Sequence, residues 1–201
     1  MLLAGQKSGI VYALDPDRKG EILWQARVGQ GGIGGGVQWG MASDGYQVYA
    51  ATSDVVRDVP PIDALDPRSL LANPKIGGGL TALRIATGEK TWFAPPIVCG
   101  PPAKPGCSPG QPQAVTAIPG AVFSGSLDGH LRAYSAEEGK ILWDFDTVRD
   151  YQTVNGVRAS GGSLNGPGAV IAGGMLFVNS GYARLGTMPG NVLLAFSVDG
   201  K

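Results

Sequence analysis

Apolar residues in this chain come in short runs separated by glycine and polar turns, and no stretch sustains the 3.6-residue spacing of an amphipathic helix. The runs carry one recurring pattern: a glycine-containing turn, a β-rich segment with a central alanine, an acidic or polar turn ending in glycine, then tryptophan. It reads SGIVYALDPDRKGEILW from Ser8 to Trp24, GGLTALRIATGEKTW from Gly78 to Trp92, DGHLRAYSAEEGKILW from Asp128 to Trp143, and NVLLAFSVDGK from Asn191 to Lys201. The central alanines, Ala13, Ala82, Ala133 and Ala195, lie roughly 50 to 70 residues apart. Tryptophan follows alanine by ten or eleven positions in three units, and the fourth ends before one occurs.

Each unit reads as strand, hairpin, strand. Asp128-Gly129 supplies the positive φ of a two-residue turn, and Gly88 and Gly139 do the same at the next corner. An alanine at the centre suits the close approach of a neighbouring sheet, and the tryptophan offers a flat surface to dock against it. Trp24, Trp92 and Trp143 are therefore read as packing residues. Further strands are expected at 47–53, 121–124 and 175–179. Together with the repeat spacing they predict an all-β fold, a β-propeller of four-stranded antiparallel blades, with about four blades in one domain over residues 1–201. Two long insertions interrupt the pattern, a proline-rich one over 55–77 and one over 94–113 that holds both cysteines. Such loops carry function or protect sheet edges.

Composition agrees with this picture. The 33 glycines and 15 prolines demand many turns and few long helices. Sixteen basic and sixteen acidic residues cancel, which excludes the electrostatic footprint of a nucleic-acid binder and disfavours a polyanionic ligand. No apolar stretch has the length of a membrane span, and Met1 runs into Leu2-Leu3-Ala4-Gly5 without a signal-peptide pattern. Cys99 and Cys107 close the loop CGPPAKPGC, which reads as a local disulfide, with two reduced surface thiols as the alternative. His130 is the only histidine and reads as structural. Hydrolase, zinc-protease, P-loop and EF-hand motifs are missing from the sequence, and the GQGGIGGG run from Gly29 to Gly36 lacks the helix a dinucleotide loop needs.

The A-x-x-x-x-x-G-x-x-x-W units at Ala82 to Trp92 and Ala133 to Trp143 resemble the tryptophan-docking motif of pyrroloquinoline-quinone-dependent alcohol dehydrogenases. The segments 34–54, 124–147 and 161–182 resemble most the polyvinyl-alcohol-dehydrogenase branch of that family. The resemblance implies an eight-bladed ring holding pyrroloquinoline quinone and Ca²⁺ on its axis, an alcohol substrate, an electron acceptor such as cytochrome c, and a periplasmic or secreted location. It also implies a c-type haem domain in some full-length relatives, although this chain has no C-x-x-C-H site. About four of the eight blades are present, so the chain is expected to be an internal or C-terminal piece. As such it would self-associate through open ends or be marginally stable, and would lack turnover alone.

Carried over residue by residue, Trp39 in GGGVQWG matches the tryptophan on which the quinone lies flat, and it stands outside the docking repeat. Asp54 matches an asparagine ligand of Ca²⁺, a role a carboxylate can fill, and reads equally as a turn residue. Arg158 with Gly161-Gly162 resembles a loop that reaches the cofactor. Two departures stand out: the stretch Gln111 to Thr116, where a catalytic aspartate is expected, has no carboxylate, and Leu127 replaces a quinone-facing arginine. The adjacent-cysteine disulfide of many relatives is missing too. The catalytic base is left unassigned, and the competing function is a non-catalytic propeller acting as a binding or assembly scaffold.

Overall fold

The computed structural model describes residues 1–57, 71–183 and 186–199, and among these all regular structure is strand. The proline-rich part of the 55–77 insertion and the Gly200-Lys201 end lie outside the described residues. Four antiparallel sheets follow one another along the chain. The first contains β1 (Leu2–Gly5), β2 (Ile10–Asp15) and β3 (Glu21–Arg27); the second β4 (Ala42–Ser43), β5 (Gln47–Ala51), β6 (Leu80–Arg84) and β7 (Lys90–Ala94). The third contains β8 (Thr116–Ile118), β9 (Ala121–Gly125), β10 (His130–Ser135) and β11 (Ile141–Asp146). A hairpin of β12 (Asp150–Gln152) and β13 (Arg158–Ser160) precedes the fourth, which contains β14 (Val170–Ala172), β15 (Met175–Ser180) and β16 (Val192–Phe196). Two sheets thus have the expected four strands, and the first and last have three among the described residues.

The sheets pack face to face in chain order, with an apolar cluster between each successive pair. Val11 meets Val48 and Leu83 between the first and second, Leu80 and Tyr49 meet Val122 and Tyr134 between the second and third, and Leu131 meets Val178 and Leu194 between the third and fourth. This is the layering of propeller blades.

The repeated alanine and tryptophan occupy the same register in each blade. Ala13 pairs with Trp24, Ala82 with Trp92 and Ala133 with Trp143, and a bulge follows each alanine. The small side chain opposite leaves room for the indole to lie across the sheet. Trp24 then covers Gly88 of the next blade, where a Cβ would come within 2.6 Å of the ring, and its indole N–H donates to the Ile85 carbonyl at 2.8 Å. Trp92 repeats this one blade later, over Gly139 and with the Ala136 carbonyl at 2.9 Å. Glycine is required twice over at these corners, by contact with the ring and by φ values of +73° and +70°. Trp143 instead stacks on Phe145 and meets Phe196 edge-on, with centroids 5.7 and 5.3 Å away.

Candidate functional site

A second set of repeated contacts forms one face of the molecule. The turn carbonyls of Gln6, Thr52 and Ser126 accept hydrogen bonds from the amides of Val37, Gln111 and Leu164, each on the segment leading into the next blade. One residue further along the turns, the amides of Ser53 and Leu127 donate to the carbonyls of Gly36 and Gly110. The segments ahead of the first strands also touch: Val115 donates to the Gly40 carbonyl and Ala114 to that of Gly166. Loops from all four blades therefore converge where β4, β8 and β14 begin, on the inner side of the blades.

Trp39 stands at this convergence, directly before β4. Its side chain is 47% exposed, far more than the packing indole of Trp92, and its Nε1–H donates to Asn165 Oδ1 at 2.9 Å, tying the second blade to the loop ahead of the fourth. Trp39 itself lines a cavity of about 340 Å³ with Leu3, Val37 and Met41, and a separate one of about 260 Å³, reached by Gln38, Asn165, Leu127, Lys7 and Arg57, adjoins it at Gln38. Gln38 and Asn165 link this cavity to the tryptophan. Lys7 Nζ donates to the Ile33 carbonyl at 2.7 Å, and Arg57 Nη1 lies 3.4 Å from the position of a Cβ on Gly34. The two cations thus approach consecutive residues of the glycine-rich loop. Burial pulls the Arg57 guanidinium below its ordinary pKa.

Asp54 follows β5 at a φ of +42° and clamps this loop. Its Oδ1 accepts from the amides of Gly31 and Gly36 at 3.1 and 2.8 Å, and its Oδ2 accepts from that of Gln30 at 2.9 Å. A carboxylate has about four acceptor positions, so one is left over. Among the described residues no group of three or more His, Cys, Asp or Glu side chains could hold a metal ion. Asp54→Ala is expected to lower stability by about 2–3 kcal/mol, from the lost charge-assisted bonds and the strained φ, and Asp54→Asn by about half as much. Urea unfolding of the two variants checks both values.

The remaining expected site residues are spread apart. Arg158 is exposed on β13, opposite Gln152, beside a cleft formed with Asp150, Tyr151 and Asn191 rather than beside Trp39. Gly161 and Gly162 are buried in the packing between the last two blades. A Cβ on Gly161 would strike the Thr147 carbonyl, one on Gly162 would meet the Met188 carbonyl at 2.4 Å, and the Gly162 amide donates to Ser180 Oγ at 2.9 Å. Leu127 is buried against the axial cavity. In the stretch without a carboxylate, Gln111 accepts from Ser124 Oγ at 2.9 Å and Gln113 donates to the Pro167 carbonyl at 3.0 Å, so both buried amides brace loops. His130 Nδ1 lies 2.6 Å from Asp144 Oδ1, within a side-chain network described below. Cys99 and Cys107 are joined in a disulfide, with Cα atoms 6.3 Å apart. Among the described residues no helix is long and apolar enough to cross a membrane. Lys7, Arg57, Gln38 and Asn165 were not singled out by sequence reasoning, since no local motif marks them.

Residues 7–173 match the family model PQQ_2, described as outer membrane protein assembly factor BamB. The whole chain is 45% identical to a polyvinylalcohol dehydrogenase of a Pseudomonas species and 42% identical to one of Sphingopyxis, in each case spanning 30% of the relative's length. A 1-butanol dehydrogenase (cytochrome c) of Thauera butanivorans is 30% identical over 54% of this chain and 17% of its own length. Among solved structures, a quinohemoprotein alcohol dehydrogenase of Pseudomonas putida superposes with a TM-score of 0.57 at 18% identity, covering 96% of this chain and 30% of that one. That of Comamonas testosteroni gives 0.54 at 16% identity, over 95% of this chain and 31% of that one. The two structural likenesses speak to the propeller fold alone.

Proposed function

The chain belongs to the PQQ_2 family, and on that premise we propose that it supplies quinone-binding blades of a pyrroloquinoline-quinone-dependent alcohol dehydrogenase acting on alcohols, with polyvinyl alcohol as the favoured substrate. The single observation carrying this reading is Trp39: a half-exposed indole outside the docking repeat, held by Asn165 at the axial face beside a cavity with two cations. A planar tricyclic cofactor needs such a π surface, and its carboxylates suit the cations. When bound, the quinone supplies a two-electron acceptor for the hydride of the alcohol carbon.

The chain's own residues hold and orient. Asn165 fixes the plane of the indole through its Nε1–H, Asp54 holds the glycine-rich loop at the cavity, and buried Leu127 excludes water from the wall. For Ca²⁺ the fit is poor, because Asp54 is the one expected ligand and three amides already occupy it. No step is routed through that ion. Gly161 and Gly162 enter this reading as close-packed backbone of the loop between the last two blades, and Arg158 stands at the separate cleft with Asp150 and Asn191.

An electron acceptor such as cytochrome c and a periplasmic or secreted location complete the proposal; the disulfide is compatible with that compartment. Self-association is part of it, since Leu2 and Ile22 on the first sheet and Leu193 and Val170 on the last are exposed. The family description favours one competing reading, a propeller that serves as an assembly scaffold without cofactor. Equilibrium dialysis against pyrroloquinoline quinone separates the two. Retention of the quinone is expected, with Trp39→Ala weakening it by about 1–3 kcal/mol at unchanged fold stability. Equal retention by Trp39→Ala, or no retention by the unsubstituted protein, would favour the scaffold.

A further inference from the structure

We propose that the cleft between the β12–β13 hairpin and Asn191 is a subsite for a flexible polyhydroxylated chain, holding a remote stretch of a polymeric alcohol while a nearer hydroxyl reaches the Trp39 face. The inference rests on the alcohol-dehydrogenase reading above and adds a second contact for its polymeric substrate. The hairpin lies outside the four blade sheets, between β11 and β14. Its register pairs Asp150 with Ser160 and Gln152 with Arg158, and side chains at such positions share one face. The intervening pair, Tyr151 and Ala159, belongs to the other face and packs into the apolar cluster of the last two blades. A polar face is thus anchored by an apolar one, and with Asn191 it bounds a cleft of about 490 Å³.

The chemistry of this face fits a neutral ligand that both donates and accepts. Asp150 accepts, Arg158 donates and Gln152 does both, and among the described residues no hydrogen bond or ion pair engages any of the three side chains. Carboxylate and guanidinium cancel in charge, which disfavours an ionic ligand. Asn191 Oδ1 accepts from the Ser160 amide at 2.9 Å and the Asn191 amide donates to the Ser160 carbonyl at 2.8 Å, so the far wall is fixed and the Nδ2 group is left to donate. A cyclic sugar calls for a bare ring to stack on, yet the Tyr151 ring carries the Arg149 guanidinium at 5.5 Å and its hydroxyl donates to the Thr147 carbonyl at 3.1 Å. An open chain with hydroxyls on alternate carbons suits the face better, since same-face side chains recur about every 7 Å along a strand and each can take a different hydroxyl. Asn165, which holds the Trp39 indole, follows Ser160 by five residues, a span of at most about 18 Å. A long chain can lie in the cleft and still reach the indole, whereas a small alcohol cannot.

Titration calorimetry of the whole chain with polyvinyl alcohol, isopropanol, polyethylene glycol and dextran tests the subsite. Polyvinyl alcohol is expected to bind, to weaken about tenfold in Arg158→Ala and about threefold in Gln152→Ala, and to recover part of the loss in Arg158→Gln, which keeps a donor. Isopropanol is too short to span the cleft, polyethylene glycol only accepts along its length, and dextran is cyclic, so each should bind at least about tenfold more weakly and ignore these substitutions. Both substituted positions are exposed, so the variants should keep the thermal midpoint of the unsubstituted protein. Added salt should leave polyvinyl alcohol binding unchanged. Polymer binding that ignores Arg158 and Gln152, equal binding of dextran or polyethylene glycol, or no polymer binding would overturn the subsite, and quinone retention in dialysis would then leave the dehydrogenase reading intact. Lost quinone retention with polymer binding still dependent on Arg158 would overturn the quinone reading and uphold the subsite.

Discussion

Arg132→Leu is expected to destabilise the protein by about 3–5 kcal/mol, because it strips the partner from a buried carboxylate. Arg132 is on β10 with a side chain only 3% exposed. Its Nη2 meets Asp128 Oδ2 at 2.7 Å and its Nε meets Asp144 Oδ2 at 3.1 Å. Burial disfavours the guanidinium charge, yet Asp128, Tyr134 and Asp144 together more than offset this and the Arg132 pKa is raised. Asp128 is itself 7% exposed and also accepts from the His130 amide at the hairpin turn. Leucine would keep much of the volume and leave Asp128 charged, dry and unpaired. Adding Asp128→Asn should recover a large part of the loss. Urea unfolding at unchanged m-value checks this, and a loss below about 1 kcal/mol in the single variant would contradict it.

Trp92→Ala should be comparably severe, at about 3–5 kcal/mol. The indole is buried, stacks on Tyr49 at 5.8 Å between centroids, covers Gly139 of the next blade and donates to the Ala136 carbonyl. Removing it opens a cavity at the seam between the second and third blades, so coupling between blades falls along with stability. Trp92→Phe should cost less, since it keeps an aromatic stack and the Ala136 carbonyl retains the Gln47 side-chain amide at 2.9 Å. Thermal unfolding of the alanine variant should broaden as well as shift, reflecting partial separation of the two halves.

The blades were legible in the sequence because the docking unit is local: alanine, a positive-φ glycine and tryptophan recur at fixed offsets, and each offset is a cross-strand register. What the spacing did not reveal is that alanine faces the tryptophan of its own blade, so its small size serves the indole as much as the neighbouring sheet. Trp39 was legible because it breaks the repeat. Lys7, Arg57 and Asn165 were not, because their convergence depends on how three blades are arranged around the inner strands, and none has a marked neighbourhood in the chain.

Gly161-Gly162 illustrates a glycine signal with two physical meanings. The resemblance reads the pair as a loop reaching the cofactor; the structure shows close backbone approach, with the Thr147 and Met188 carbonyls as partners. Asp54 is similar. An acidic residue ending a strand could ligate a cation or cap amides, and the amides it meets lie 18 to 24 residues earlier in the chain.

A crystal structure of the protein grown with pyrroloquinoline quinone addresses the proposed site most directly. It should show the tricyclic ring lying flat on Trp39, whose indole stays tied to Asn165. A quinone bound elsewhere, or crystals at saturating quinone with the Trp39 indole face bare, would contradict it.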